Sequence, residues 1–327
     1  MTNILEIQNL RTEFVTKNGK FFAVNNIDLY IKSNQIIGIV GESGCGKSVT
    51  ALSIMNLIDL PGRINSGNIY FKKNDKVIDI TELGKMSKKM RSIRGKEISM
   101  IFQDPMSSLN PVLTIGDQVI ETIRLHKKIT KRNAYLETID LLNNVGLPSP
   151  KKTIKNYPHQ LSGGMRQRIM IAIALSCNPS VLIADEPTTA LDVTIQAQVL
   201  NLILEMKEKY QTAIMLITHD MGIIANFVQI VYVMYHGKVV ECTTVENIFN
   251  NPKHPYTIGL LESIPTLEYD KNQPLKQING SVPTSFEKIN GCSFYKRCNY
   301  AKDICKNNSP SLLNINPYHQ VSCWLHS

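Results

Sequence analysis

Between residues 41 and 48 runs Gly41-Glu42-Ser43-Gly44-Cys45-Gly46-Lys47-Ser48, with Val49 after it. The spacing G-x-x-x-x-G-K-[ST] suits a cradle for phosphates. Glycines let the backbone wrap closely with its N–H groups inward, and a helix opening at the lysine adds partial positive charge. That dipole contributes roughly 0.3–2 kcal/mol. An ammonium about 4 Å from one phosphate charge is worth about 4 kcal/mol at an effective dielectric of about 20. Lys47 is therefore the larger contact, and Ser48 offers its hydroxyl to Mg²⁺. Gly41, Ser43, Gly44, Cys45, Gly46 and Val49 complete the expected nucleotide contacts.

Other stretches offer groups for hydrolysis. Val181-Leu182-Ile183-Ala184-Asp185-Glu186 is an apolar run ending in two carboxylates. Acids at the end of a buried strand are costly unless they hold a cation. Asp185 is thus expected to bind Mg²⁺ near Ser48, and Glu186 to polarise the attacking water as general base. Gln103 ends a second apolar run, ahead of a break at Pro105, and suits coordination of Mg²⁺ or of the attacking water. His219 follows the apolar Ala213-Ile214-Met215-Leu216-Ile217-Thr218, a position from which it reaches a γ-phosphate. In Leu161-Ser162-Gly163-Gly164-Met165 the serine is a good N-cap and the glycines permit close approach of an anion. Two phosphate-seeking helix starts so far apart suggest that Ser162, Gly163 and Gly164 serve a nucleotide held by a neighbouring copy or partner.

These groups need strands to end on and helices to begin. Ile36-Ile37-Gly38-Ile39-Val40 reads as the buried strand feeding the phosphate loop. Residues 4–10, 21–24 and 27–31 form an antiparallel patch before it. Phe14, Phe21 and Phe22 lie there, each either core or a platform for adenine. The basic residues 85–96 read as a solvated helix face. Residues 113–147 turn helical, with Tyr135, Ile139 and Leu142 at i, i+4 and i+7, in an insertion over about 104–162 whose expected job is to touch another protein. The order strand, phosphate loop, helix, insertion, acidic strand, histidine strand predicts a mainly parallel α/β core. Such a sheet binds ligands at the carboxyl ends of its strands, where these residues fall.

The 327 residues leave room for a full domain and an extension. A hydrophobic content of 43% with 19% charged residues describes a globular chain, and neither a membrane-spanning run nor a signal-peptide layout is visible. The net charge of +9 permits nucleic acid or anionic lipid as partner and decides nothing alone. Of seven cysteines, Cys292, Cys298, Cys305 and Cys323 crowd the end. In the reducing compartment expected without an export signal, that crowding argues for metal rather than disulfides.

Taken together, these residues resemble the ATP-binding cassette family over about residues 3–250. Gly41 to Ser48 looks like its Walker A loop, Gln103 its Q-loop, and Leu161 to Met165 its signature motif. Val181 to Glu186 is similar to Walker B with its catalytic glutamate, Ala190-Leu191-Asp192 to the D-loop, and His219 to the switch histidine. Phe14 lies near the place of the adenine-stacking aromatic. The resemblance implies a P-loop NTPase (RecA-like) core with an antiparallel β patch and helical insertion at 1–250, and a small cysteine-containing extension at 251–327. Phe102-Gln103-Asp104-Pro105-Met106-Ser107-Ser108-Leu109-Asn110-Pro111, His254-Pro255-Tyr256-Thr257, Gly280-Ser281-Val282-Pro283 and the final cysteines narrow it to ATPase subunits of bacterial oligopeptide/dipeptide importers. Nickel and metallophore importers share this pattern.

The resemblance further implies ATP and Mg²⁺ as ligands and a peripheral place on the cytoplasmic face of the membrane. Its expected partners are a homologous second ATPase as heterodimer, two membrane permease subunits and an extracytoplasmic substrate-binding protein. The four late cysteines run C-x5-C-x6-C-x17-C, unlike zinc ribbons or ferredoxins. Related chains hold a [4Fe–4S] cluster on such cysteines; zinc and free thiols are the alternatives, and Lys296 and Arg297 are expected to offset thiolate charge. A soluble cassette ATPase acting on nucleic acid is the rival from another class. Dispersed basic residues and a single cassette argue against it, so no nucleic acid is expected. A binding-only regulatory subunit would not need Glu186 and His219.

Overall fold

The computed structural model describes residues 3–74, 76–104, 108–189, 191–264, 277–284, 286–287 and 289–327. The expected break at Pro105 and the first D-loop residue, Ala190, lie outside them. The strands are β1 (Asn3–Thr16), β2 (Gly19–Lys32), β3 (Ile36–Val40), β4 (Gly62–Lys73), β5 (Lys76–Asp79), β6 (Ile98–Ile101), β7 (Val181–Asp185), β8 (Ala213–Thr218), β9 (Ile230–Tyr235), β10 (Lys238–Thr244), β11 (Leu313–Asn316) and β12 (His319–Val321). The α-helices are α1 (Lys47–Ile54), α2 (Lys88–Ile93), α3 (Ile115–His126), α4 (Lys131–Asn144), α5 (Pro150–Thr153), α6 (Gly163–Leu175), α7 (Val193–Tyr210), α8 (Met221–Phe227), α9 (Val245–Asn250), α10 (Pro255–Glu262) and α11 (Asp303–Asn307). Two compact units result. Met1–Leu5, Ile31–Gln35 and Glu82–Leu216 form the first, and Glu6–Tyr30, Ile36–Thr81 and Ile217–Ser327 the second.

In the first unit the strand order is β8-β7-β6. β6 and β7 are parallel, with Ile98 opposite Val181 and Ile101 opposite Ala184. Every residue of β6, β7 and β8 is buried. Such unbroken apolar runs are what a parallel sheet covered on both faces requires. The helical stretch expected over 113–147 is two helices, because Thr130 ends the link after α3 and caps α4 by accepting from the Asn133 N–H. Thr114 caps α3 in the same way through Asp117. A cap of this kind is worth about 1 kcal/mol. Ile115, Val119, Ile120 and Ile123 form the buried face of α3. The basic stretch at 85–96 contains only the short α2, and Met90 and Ile93 anchor it in the core, so it is less a free face than its charge predicts.

In the second unit β1, β2, β4 and β5 form a sheet in the order β2-β1-β4-β5, with β4 and β5 antiparallel. The patch expected ahead of the phosphate loop is only half of it: the segments at 21–24 and 27–31 are one strand, β2, and β4 and β5 join from beyond the loop. A second group has the order β11-β12-β10-β9-β3. β3 and β9 are parallel, from Ile37 opposite Ile230 to Val40 opposite Val233. The surprise is β12, which pairs antiparallel with β10. A buried carboxylate fixes that register: Glu241 accepts from the Lys253 N–H at 2.7 Å and the His254 N–H at 2.9 Å, and His319 Nε2 lies 2.7 Å from its Oε1. A fully enclosed carboxylate is tolerated only when its oxygens are satisfied like this.

Gly116 tests the docking of α3. Its N–H donates to the Ile154 carbonyl at 2.8 Å, and an added Cβ would lie 2.8 Å from that same oxygen. Alanine is the better helix former by about 1 kcal/mol. Gly116→Ala is nevertheless expected to destabilise by about 1–3 kcal/mol, measured by urea denaturation, because the overpacked backbone has nowhere to go.

Candidate functional site

The second unit holds the phosphate loop. β3 delivers the chain to Gly41, whose φ is +153° and where a Cβ would stand 2.2 Å from the Met234 carbonyl oxygen. Gly46, at φ +103°, leaves 2.3 Å between such a Cβ and the Ala23 carbonyl oxygen. Side chains are thus excluded at both ends, for steric reasons that no flexible neighbour relieves. Gly46 is also the N-cap of α1. Lys47 is 4% exposed, and its ammonium donates to the carbonyls of Gly41 at 2.7 Å and Glu42 at 3.0 Å. Ser43 and Gly44 are exposed at the tip, while Ser48 and Val49 stand half-buried on the first turn. Cys45 is enclosed, and burial pushes its thiol up against the opposing pull of Lys47. The cradle and its one buried ammonium suit a polyphosphate.

The first unit holds the carboxylates. Asp185 ends β7 and is buried. Glu186 follows at φ +46°, a left-handed turn rare outside glycine, which costs of order 1–3 kcal/mol and tends to mark functional sites. Gln103 Nε2 donates to Glu186 Oε2 at 2.8 Å, and Thr189 Oγ1 donates to the same oxygen at 3.0 Å. The parallel pairing of β6 with β7 brings these groups together from 83 residues apart. Thr189 escaped the sequence reading, although a hydroxyl three residues past a turning carboxylate is a recognisable local pattern. Ser162 caps α6, accepting from the Met165 N–H at 3.3 Å. A Cβ on Gly164 would stand 3.2 Å from Ile195 Cγ2, so the double glycine also permits packing against α7. Asp185 and the two side chains of Gln103 and Glu186 supply oxygen donors of the type Mg²⁺ takes.

His219, in the second unit, is exposed just beyond β8. The next residue, Asp220, caps α8 by accepting from the Gly222 N–H at 2.6 Å. Phe14 stacks on Phe21 at 5.4 Å between ring centroids, and a Cβ on Gly62 would come within 2.6 Å of the Phe14 ring. Phe22 instead faces the cations of Arg11 and Lys20.

The four tail cysteines line one cavity of about 10 Å³, with Phe294 and Trp324 among its walls. Burial pushes the Cys292 thiol up to about 11 and raises Cys298 and Cys323. Among the described residues no group of three or more His, Cys, Asp or Glu side chains is arranged to hold a metal ion. The thiols converge, but they fall short of the assembled ligand set that the resemblance implies, and a cavity of about 10 Å³ is no larger than a single water needs. Nor do the two cations expected to offset them do so: Lys296 pairs with Glu287, and Arg297 with Glu42 of the phosphate loop, while Lys302 is the cation that lines the cavity.

Residues 24–189 match the family model for ABC transporter, and residues 240–305 that for the oligopeptide/dipeptide transporter C-terminal region. The chain belongs to the ABC transporter family, and within it is an ATP-hydrolysing subunit. More particularly, it is 49% identical to the oligopeptide transport ATP-binding protein AppD of Bacillus subtilis over 100% of this chain and 98% of that one. It is 47% identical to the dipeptide transport ATP-binding protein DppD of the same organism, over 99% and 95%. Among solved structures, the dimeric ATP-binding cassette MJ0796 bound to ADP and Pi superposes with a TM-score of 0.64 at 25% identity, covering 74% of this chain and 98% of that one. CbiO1 from Clostridium perfringens, part of the ABC transporter complex cbiONQ, gives 0.63 at 27% identity, over 77% and 92%. Membership of this family implies membrane permease partners. Among the described residues no helix is long and apolar enough to cross a membrane.

The enclosed Cys45 thiol yields a chemical prediction. Cys45 is expected to resist iodoacetamide at neutral pH in the folded protein and to react on unfolding, as peptide mass mapping would show.

Proposed function

We propose that this chain hydrolyses ATP to drive import of oligopeptides or dipeptides through a membrane permease, as a peripheral subunit on the cytoplasmic face. The observation that carries the hydrolytic part is the Glu186 carboxylate, held by Gln103 and Thr189 where β7 ends. The cargo rests on full-length relatives named for oligopeptide and dipeptide transport.

In this reading Lys47 releases the loop carbonyls and takes phosphate oxygens, while the N–H groups between Gly41 and Val49 line the triphosphate. Ser48, Gln103 and Asp185 would hold Mg²⁺, which supplies charge neutralisation on the phosphates. Glu186 accepts a proton from the attacking water, and Gln103 and Thr189 fix the carboxylate oxygen that does so. His219 holds the γ-phosphate, and Phe14 is the platform for adenine. Ser162, Gly163 and Gly164 close on the nucleotide of a homologous second ATPase, forming a heterodimer beneath two permease subunits fed by a substrate-binding protein. Residues 1–250 carry this chemistry, and residues 251–327 form the extension. On the chemistry of four convergent thiols, Cys292, Cys298, Cys305 and Cys323 of that extension would hold a [4Fe–4S] cluster.

Two measurements test these assignments. Glu186→Gln is expected to lower ATP turnover by about 10²–10⁴-fold while leaving ATP binding intact, and to abolish uptake of labelled peptide by the assembled transporter. Turnover near the parental rate would remove Glu186 from the role of base. For the tail, anaerobically purified protein should contain iron and acid-labile sulfide in equal amounts, with Cys298→Ser losing both; zinc, or no metal, contradicts the cluster.

A further inference from the structure

The phosphate loop is gripped from outside as well as from within. Glu42, its second residue, receives both arms of one guanidinium: Arg297 Nη1 donates to Oε2 at 2.7 Å and Nη2 to Oε1 at 3.0 Å. The two residues are 255 positions apart in the chain. Arg297 has little freedom of its own. Its Nε donates to the Asn279 carbonyl at 2.9 Å, and its guanidinium lies 5.8 Å and 5.9 Å from the ring centroids of Tyr235 and Phe294. The backbone of Glu42 is held by the same shell. Its N–H donates to the Tyr256 hydroxyl at 2.8 Å, and the Tyr256 ring packs on Tyr235 and Phe294. Glu42 is also one of the two residues whose carbonyls hold the Lys47 ammonium. A bidentate arginine–carboxylate pair fixes direction as well as distance, which a lysine at that place would not. A shift of the fork therefore shifts the peptide that orients Lys47.

We infer that Arg297 is a positioning residue for the phosphate loop, acting through Glu42 without touching the nucleotide, and that correct folding of the cysteine tail is thereby a condition for tight ATP binding. Arg297 immediately precedes Cys298, so whatever displaces the tail between Cys292 and Cys298 loosens the loop. The inference rests on Gly41 to Ser48 being the ATP phosphate loop. A staple serving stability alone would lower the melting temperature and leave nucleotide affinity as it was.

The test uses the full-length protein with Arg297→Gln, Arg297→Lys, Glu42→Gln and the double variant Glu42→Gln/Arg297→Gln. ATP turnover is measured against ATP concentration, and binding by fluorescent ATP-analogue titration, at a temperature below the cooperative melting transition of every variant. Arg297→Gln should raise KM and Kd for ATP about tenfold with kcat within about twofold, since misplacement of a binding group costs affinity before chemistry. Arg297→Lys should recover part of the loss, and the double variant should be no worse than Arg297→Gln, because both changes break one contact. If Arg297→Gln does not fold, Glu42→Gln, which leaves the tail's own residues in place, must show the same rise in KM. Unchanged KM and Kd in the folded variants, or additive losses in the double variant, overturn the inference. Lys47→Ala separates the two levels: if it binds ATP as tightly as the parent, the phosphate-loop reading itself fails. If it loses ATP while Arg297→Gln does not, only the role of Arg297 falls.

Discussion

A buried ammonium must have oxygen around it, and among the described residues Lys47 finds it in its own loop. Removing a lysine charge from water costs several kcal/mol unless acceptors stand close. The carbonyls of Gly41 and Glu42 meet that need, and they do so because Gly41 and Gly46 bend the backbone into regions where a Cβ would collide with neighbouring carbonyls. The loop is thereby preorganised around a cation. In the proposed reading a triphosphate, which offers full negative charges where the carbonyls offer partial ones, draws that cation to itself. The other features act on this arrangement or on its product. β3 aims the loop, α1 adds its dipole, and two donors fix the Glu186 carboxylate that we propose as the base.

What could be read from the sequence was the local part. β3, β7 and β8 are unbroken apolar runs, and a run followed by glycines or carboxylates has few structural meanings. Gln103 and Glu186 were legible as partners in one chemistry because both end such runs, and the contact between them is what parallel neighbours produce. The helix start at Ser162 follows from a side chain that caps. The ends of β1, β2 and β4 were not legible, since edge residues of a half-exposed sheet carry weak alternation.

The rest was illegible because it is made of distant pairs. Nothing in the order of residues says that Glu241 accepts from His319, 78 positions on, or that β12 therefore lies against β10. Arg297 sits among cysteines, and proximity in sequence suggested that its charge answered theirs; in space it answers Glu42. Burial pushes the Cys292, Cys298 and Cys323 thiols up, so these three carry little negative charge for it to offset at neutral pH. The tail is thus tied to the nucleotide-binding part by the Arg297–Glu42 ion pair and by the hydrogen bond between His319 and Glu241.

The central claim is that the backbone between Gly41 and Val49 receives the triphosphate once Lys47 leaves the loop carbonyls. Amide hydrogen exchange with and without Mg²⁺-ATP reads this directly, residue by residue. The account predicts that amides at 43–49 slow by at least about tenfold on addition of nucleotide, the size of change expected when N–H groups gain charged acceptors. Protection that arises elsewhere while these amides exchange as fast as before would contradict it.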